Sequence, residues 1–276
     1  MIPAFTVRPF ALGRAAFTTL AFACLAGCGQ SSSPTSAPGT PPAPTTFALL
    51  EATVADVQAA FRGEQVGAEG QTLNCVALAE LYLARIDALD NSTDTGLPIS
   101  SIVSLNPLWR EQAEALDATF DTSGPAGPLH CVPVLLKDLY DTFDFPTTAS
   151  SLALAGSQPP DDAFTVARLR EAGALILGKA GMSEYAYWTQ SFNSVSQRIG
   201  TPYNTAMDAG GSSGGTAAAI AANFAVLGTG SDTCASIRLP PSNNGLVGVR
   251  SSVGLVSQDG LVPLSHSMDV GGPITR

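Results

Sequence analysis

Two serines, Ser212 and Ser236, and a lysine, Lys137, are the residues of this chain best placed by type and setting to form a covalent nucleophile. Ser212 lies in G-G-S-S-G-G (210–215) and Ser236 ends the run S-D-T-C-A-S (231–236), so both sit in Gly/Ser-rich turns. Lys137 is one of only two lysines and follows the apolar run V-P-V-L-L (132–136). A serine hydroxyl is a poor nucleophile until a neighbouring base takes its proton. With only two histidines in the chain, the available base is a lysine kept neutral by desolvation behind Val134–Leu136. Taken singly, each residue is commonplace: a Gly/Ser run is most often a loop, and a lysine after a strand is usually solvated. Their order and spacing carry the reading.

The surrounding pattern supplies elements that could hold them. Thr53 to Asp56 has the form of a capping box, with Val54, Val57 and Phe61 at helical spacing. Further helices are expected over 73–89, from Pro107 to about Ala118, from an Asp162 cap to Ala172 with Gly173 as terminator, and over 216–222. Strands are expected at 101–105, 131–136, 174–177, 225–228, 245–249 and 254–256. Short apolar strands alternating with helices predict an α/β fold with a largely parallel sheet.

Three rival motifs fail on mechanism. G-A-L-I-L-G-K-A (173–180) approximates a phosphate-binding loop, but Ala180 replaces the hydroxyl that a magnesium ion needs. Gly228-Thr229-Gly230 lacks the third glycine of a dinucleotide fingerprint. G-G-S-S-G satisfies the nucleophile-elbow pattern, yet a polar loop rather than an apolar strand precedes it, and His266 is the sole downstream histidine.

Taken in order, P-L-H-C-V-P-V-L-L-K-D (128–138), A-L-I-L-G-K-A-G-M-S-E-Y-A (174–186), G-G-S-S-G-G-T-A-A-A-I-A-A (210–222), G-S-D-T-C-A-S-I-R-L-P (230–240) and N-N-G-L-V-G-V-R (243–250) resemble the amidase signature family, from about Leu50 to Arg276. The resemblance implies an α/β amidase-signature fold, a mixed, mostly parallel sheet flanked by helices. It implies hydrolysis of a small-molecule carboxamide to a carboxylate and ammonia or an amine through an acyl-enzyme, with no cofactor and no metal. Ser236 would be the nucleophile, Lys137 the base, and Ser212 the bridging serine, following a cis peptide bond from Gly211. Backbone N–H groups of Thr233, Cys234, Ala235 and Ser236 would form the oxyanion hole, with Ser213, Asp232 and Arg238 in support. Cys234 and Ala235 stand where the family commonly has two glycines, and a positive φ at Ala235 would penalise its Cβ. Family members continue past Val270–Arg276, so the amidase domain, placed at 47–276, is expected to be truncated at its C-terminus.

Residues 1–27 read as a secretory leader, with Arg8 and Arg14 ahead of an apolar stretch and L-A-G-C (25–28) as a lipoprotein cleavage box. This predicts export, a lipid on Cys28 anchoring the protein to a bacterial envelope, and a Ser/Pro-rich tether over 28–46. A net charge of −10 argues against a nucleic-acid partner. Alternatives of a different kind are a non-catalytic lipoprotein remnant and an amidotransferase subunit that frees ammonia from glutamine for a tRNA-bound substrate. Cys75, Cys131 and Cys234 have no metal-ligand spacing. A Cys75–Cys131 disulfide is the expected pairing in an oxidising compartment, because Cys234 lies in the turn before Ser236; otherwise the thiols are small buried hydrophobes.

Overall fold

The computed structural model describes residues 42–94 and 96–276, so the leader, Cys28 and most of the tether lie outside the described residues. Within the compact unit Ala43–Arg276, Thr45–Thr46 (β1), placed in the tether by sequence, pairs in parallel with Gln65–Val66 (β2) beside helix α1, Val54–Phe61. The capping box forms as the pattern requires: the Asp56 N–H donates to Thr53 Oγ1, and the Thr53 N–H donates back to the Asp56 carboxylate. Helix α2, Cys75–Leu89, is capped by Asn74 and packs on α3, Trp109–Ser123, with strand β3, Ile102–Leu105, between them in sequence. Helix α3 runs past the expected end at Ala118 to Ser123, where Gly124, with φ +81°, terminates it. The Thr119, Thr122 and Ser123 hydroxyls in its last turns donate to the Ala115, Ala118 and Thr119 carbonyls.

Strands β4 (Pro133–Lys137) and β5 (Leu175–Ala180) are wholly buried and parallel, with α4 (Phe164–Glu171) as their crossover. Asp162 does not cap α4; its carboxylate instead meets Arg170 and the Phe143 N–H. Gly173 terminates the crossover helix with φ +87°. The hairpins β6–β7 (Phe192–Asn193, Gln197–Arg198) and β8–β9 (Gly200–Thr201, Asn204–Asp208) lead into helix α5, Gly214–Ala221. Strand β10 (Leu227–Asp232), helix α6 (Leu239–Asn243) and strands β11 (Val247–Gly248) and β12 (Val270–Thr275) follow.

The resulting six-stranded sheet has the order β11-β12-β10-β4-β5-β3, with β10, β4 and β5 parallel and the outer pairings antiparallel. Residues 254–256, expected as a strand, form a turn. The strand of this sheet absent from the expectations is β12, and the short strands β1, β2 and β6–β9 are likewise unexpected. Helix α5 is buried at every position and lies directly on the sheet. A Cβ at Gly215 would stand 2.2 Å from the Gly181 carbonyl oxygen, so only glycine permits this approach.

Cys75, at the start of α2, and Cys131, just before β4, are joined in a disulfide with Cα atoms 5.3 Å apart. His130 lies against both sulfurs, and its Nδ1 accepts the Ala126 N–H at 3.2 Å. The neutral ring therefore carries its proton on Nε2, facing sulfur. These three ligand atoms lie within 4.8 Å of one another, but two disulfide sulfurs and a protonated nitrogen give a metal no thiolate or lone pair. Bridging a separation of 56 residues restricts the unfolded chain by about 4 kcal/mol on loop-entropy grounds. Reduction is expected to lower Tm by roughly 10 °C in calorimetry. Alkylation of denatured, unreduced protein should label Cys234 and neither Cys75 nor Cys131; labelled Cys75 would contradict the pairing.

Candidate active site

Three elements converge on the Lys137 amine: the end of β4, the turn entering α5, and the end of β10. Lys137 is completely buried. Its Nζ lies 2.6 Å from Ser212 Oγ, 2.8 Å from Ser231 Oγ and 3.4 Å from the Ser231 carbonyl oxygen. None of these partners is charged, and among the described residues no carboxylate comes within ion-pairing distance of Lys137. Desolvation pushes its pKa down from 10.5 to about 7, against a weaker upward pull from Asp232 and Asp269. Ser212 is fully buried and follows a cis peptide bond from Gly211. Ser213 Oγ bridges to the Ser231 backbone, 3.3 Å from its carbonyl oxygen and 3.4 Å from its nitrogen.

Ser236 follows in the turn between β10 and α6 and is 9% exposed. Its hydroxyl takes no hydrogen-bond partner among the described residues, and neither do the N–H groups of Thr233, Cys234, Ala235 and Ser236. Cys234 is exposed and Thr233 and Ala235 are half-buried, so these N–H groups are accessible to solvent or to a ligand's oxygen. Neither Cys234 nor Ala235 adopts a positive φ, so the side chains at these two positions carry no left-handed strain. Cys234 is a free, exposed thiol.

Asp232 holds this turn in shape. Its buried carboxylate accepts the Ile237 N–H at 3.0 Å and pairs with Arg238 and Arg250, each through Nε at 3.1 Å. Burial raises its pKa, and the hydrogen bonds from Arg238, Ile237 and Arg250 outweigh that and hold it below the usual carboxylate range. Arg238 also contacts the Cys234 carbonyl.

The structure thus brings Lys137, Ser212, Ser213, Asp232, Thr233, Cys234, Ala235, Ser236 and Arg238 into one region. It adds three residues that sequence reasoning missed: Ser231, Arg250 and Asp269. Ser231 opens the run S-D-T-C-A-S, but its role depends on β10 facing β4, which the linear pattern does not express. A cavity of about 40 Å³ adjoins Ser231 and Thr233, while one of about 650 Å³ lies against His130, at the opposite end of β4 from Lys137.

The amidase family model matches residues 77–276. A glutamyl-tRNA(Gln) amidotransferase subunit of Thermobifida fusca is 40% identical over 228 residues, which is 83% of this chain and 43% of that protein. Its counterpart in Nitratidesulfovibrio vulgaris is 41% identical over 83% of this chain and 44% of its own length. Among solved structures, the peptide amidase of Stenotrophomonas maltophilia superposes with a TM-score of 0.76 at 39% identity, covering 83% of this chain and 46% of that one. The glutamyl-tRNA(Gln) amidotransferase subunit of Thermotoga maritima gives 0.68 at 29% identity, covering 84% and 45%. The chain spans less than half the length of these relatives.

These matches correct the expectations of a lipoprotein exported to the envelope, of a membrane partner through a lipid on Cys28, and of no nucleic-acid partner. The curated relatives belong to an enzyme named for a tRNA. The physical reasons are plain. A cysteine after small apolar residues is a short pattern that an alanine- and glycine-rich sequence supplies by chance. Net charge, for its part, averages over a whole surface and is silent about one docking patch. With the family model matching most of the chain and the identities near 40%, the sequence and its α/β architecture belong to the amidase family of carbon–nitrogen hydrolases.

Proposed function

We propose that the chain carries the nucleophile-bearing part of an enzyme that hydrolyses a carboxamide through a Ser236 acyl-enzyme and releases ammonia. The observation that carries this reading is the neutral-prone lysine in contact with Ser212, beside a turn with four unpaired N–H donors. A charged Lys137 has three N–H groups, matched by Ser212 Oγ, Ser231 Oγ and the Ser231 carbonyl. A neutral Lys137 keeps two, which Ser231 accepts, and its lone pair is then directed at the Ser212 hydroxyl. The Ser236 hydroxyl bonds no described residue in the free site, so the relay requires it to come within reach of Ser212. Ser212 then passes its own proton to Lys137 while taking one from Ser236 as Ser236 attacks the amide carbonyl. The free N–H groups of Thr233–Ser236 would receive the carbonyl oxygen as charge develops, where one such donor contributes about 3 kcal/mol. The proton held by Lys137 returns through Ser212 to the departing nitrogen, and water then releases the acid.

The curated relatives favour glutamine as the amide and glutamyl-tRNA(Gln) as the eventual acceptor of the ammonia. The peptide amidase likeness favours a peptide amide. Ammonia release from glutamine, measured with and without glutamyl-tRNA(Gln) and set against a peptide amide, separates the two readings. Stimulation by the tRNA supports the first; turnover of the peptide amide alone supports the second.

A fluorophosphonate should form an adduct on Ser236, located by peptide mass, and Ser236→Ala should abolish it. An adduct elsewhere, or unchanged turnover by the variant, contradicts the assignment. Labelling should accelerate as pH rises through about 7, because Lys137 acts only when deprotonated. Ser231→Ala, which removes one of the acceptors orienting the amine, should slow labelling about tenfold or more.

Burial of Lys137 also has a stability signature. Its pKa is near 10.5 unfolded and about 7 folded, so between these values the unfolded chain binds more protons and stability rises with pH. Lys137→Met is therefore expected to raise Tm most below about pH 7, with the gain shrinking toward pH 10. A gain independent of pH would contradict the depressed pKa.

A further inference from the structure

The β10–β12 ladder ends at Asp232 opposite Val270. One residue farther along, the contact passes to side chains: the Thr233 hydroxyl donates to Asp269 Oδ1 at 2.5 Å. Oδ2 of the same carboxylate accepts the Leu264 and Ser265 N–H groups, both at 2.8 Å. The Asp269 N–H donates to the Ser265 carbonyl at 2.9 Å, and its own carbonyl accepts from Gln258. Asp269 is only 8% exposed. A buried carboxylate receiving a hydroxyl and two backbone N–H groups is held rigidly, since charge-assisted bonds are the strong ones.

Asp269 therefore joins two parts of the site that have no covalent neighbour in common. One is the turn Thr233–Ser236. The other is the segment Leu261–Leu264 with His266, which lines the small cavity beside Ser231 and Thr233. Asp232 fixes the turn at its backbone end through Ile237 and two arginines; nothing else among the described residues bonds the Thr233 side chain.

We propose that Asp269 is a positioning residue that acts through the Thr233 hydroxyl to fix the oxyanion turn and to lock the cavity wall to it. The proposal rests on the reading of Ser236 as nucleophile. Displacing N–H groups by a fraction of an ångström weakens their hold on developing charge, so the effect falls on the chemical step rather than on binding.

The test is the rate of fluorophosphonate labelling of the full chain, resolved into a maximal rate and a half-saturating concentration. Thr233→Val removes the hydroxyl and leaves the Asp269 bonds to Leu264 and Ser265 in place. Its maximal rate should fall about tenfold or more, with the half-saturating concentration within twofold and Tm little changed. Thr233→Ser should restore the rate, and Thr233→Ala serves if the valine variant does not fold. Asp269→Asn added to Thr233→Val should lower the maximal rate less than it does alone, because both act through one contact. A wild-type maximal rate in Thr233→Val overturns the proposal while leaving Ser236 as nucleophile. Wild-type protein unlabelled at Ser236 overturns both.

Discussion

An amine buried without a counter-charge is the constraint around which this fold is arranged. Moving an ammonium from water into a protein interior costs several kcal/mol unless it is paired, and Lys137 meets only two hydroxyls and a carbonyl. The arrangement holds the amine in place while desolvation lowers its pKa from 10.5 to about 7. A carboxylate in contact would favour the protonated amine and oppose the proposed role as a base. The nearby carboxylates are otherwise engaged: Asp232 with two arginines and Asp269 with backbone N–H groups and Thr233. Their upward pull on the lysine is outweighed by desolvation.

Closing three elements around that amine demands small residues. Helix α5 reads G-G-T-A-A-A-I-A and is buried throughout, so its backbone can settle on the sheet at distances no larger side chain would allow. Gly215 makes such an approach to the Gly181 backbone, and Gly211 meets the Trp188–Thr189 backbone in the same way. The second lysine shows the contrasting solution. Lys179 is also buried, but its amine donates to the Tyr140 and Pro146 carbonyls and to Thr147 Oγ1, tying down the loop that follows β4. Desolvation, its largest influence, lowers its pKa only to about 8, with Asp138 the leading opposing charge.

Much of this was legible in the chain because it is local or because it lies in contiguous motifs. The Thr53 capping box, the Gly173 terminator and the order Lys137, Ser212, Ser236 each follow from short stretches of sequence. What escaped depends on strand pairing. Ser231 matters because β10 lies beside β4, and Asp269 because β12 lies beside β10. Strand β12 itself, V-G-G-P-I-T, carries two glycines and a proline, all of which count against a strand. Pro273 is tolerated because its carbonyl accepts from Val249 on the outer side, so its missing N–H also faces that side, just past the end of β11 at Gly248. The leader and acidic charge misled for the opposite reason: they are global or short signals with no tertiary context.

The central claim, that desolvation brings the Lys137 amine's titration down to near neutral pH, is open to direct measurement. The chain has only two lysines, so protein labelled with ¹³C at the lysine ε-carbon gives two resonances, assigned by the loss of one in Lys137→Met. Followed against pH, the Lys137 signal is predicted to titrate near 7. If it holds its charged-state shift up to pH 10, the amine is not a base at neutral pH and the proposed proton relay through Ser212 is wrong.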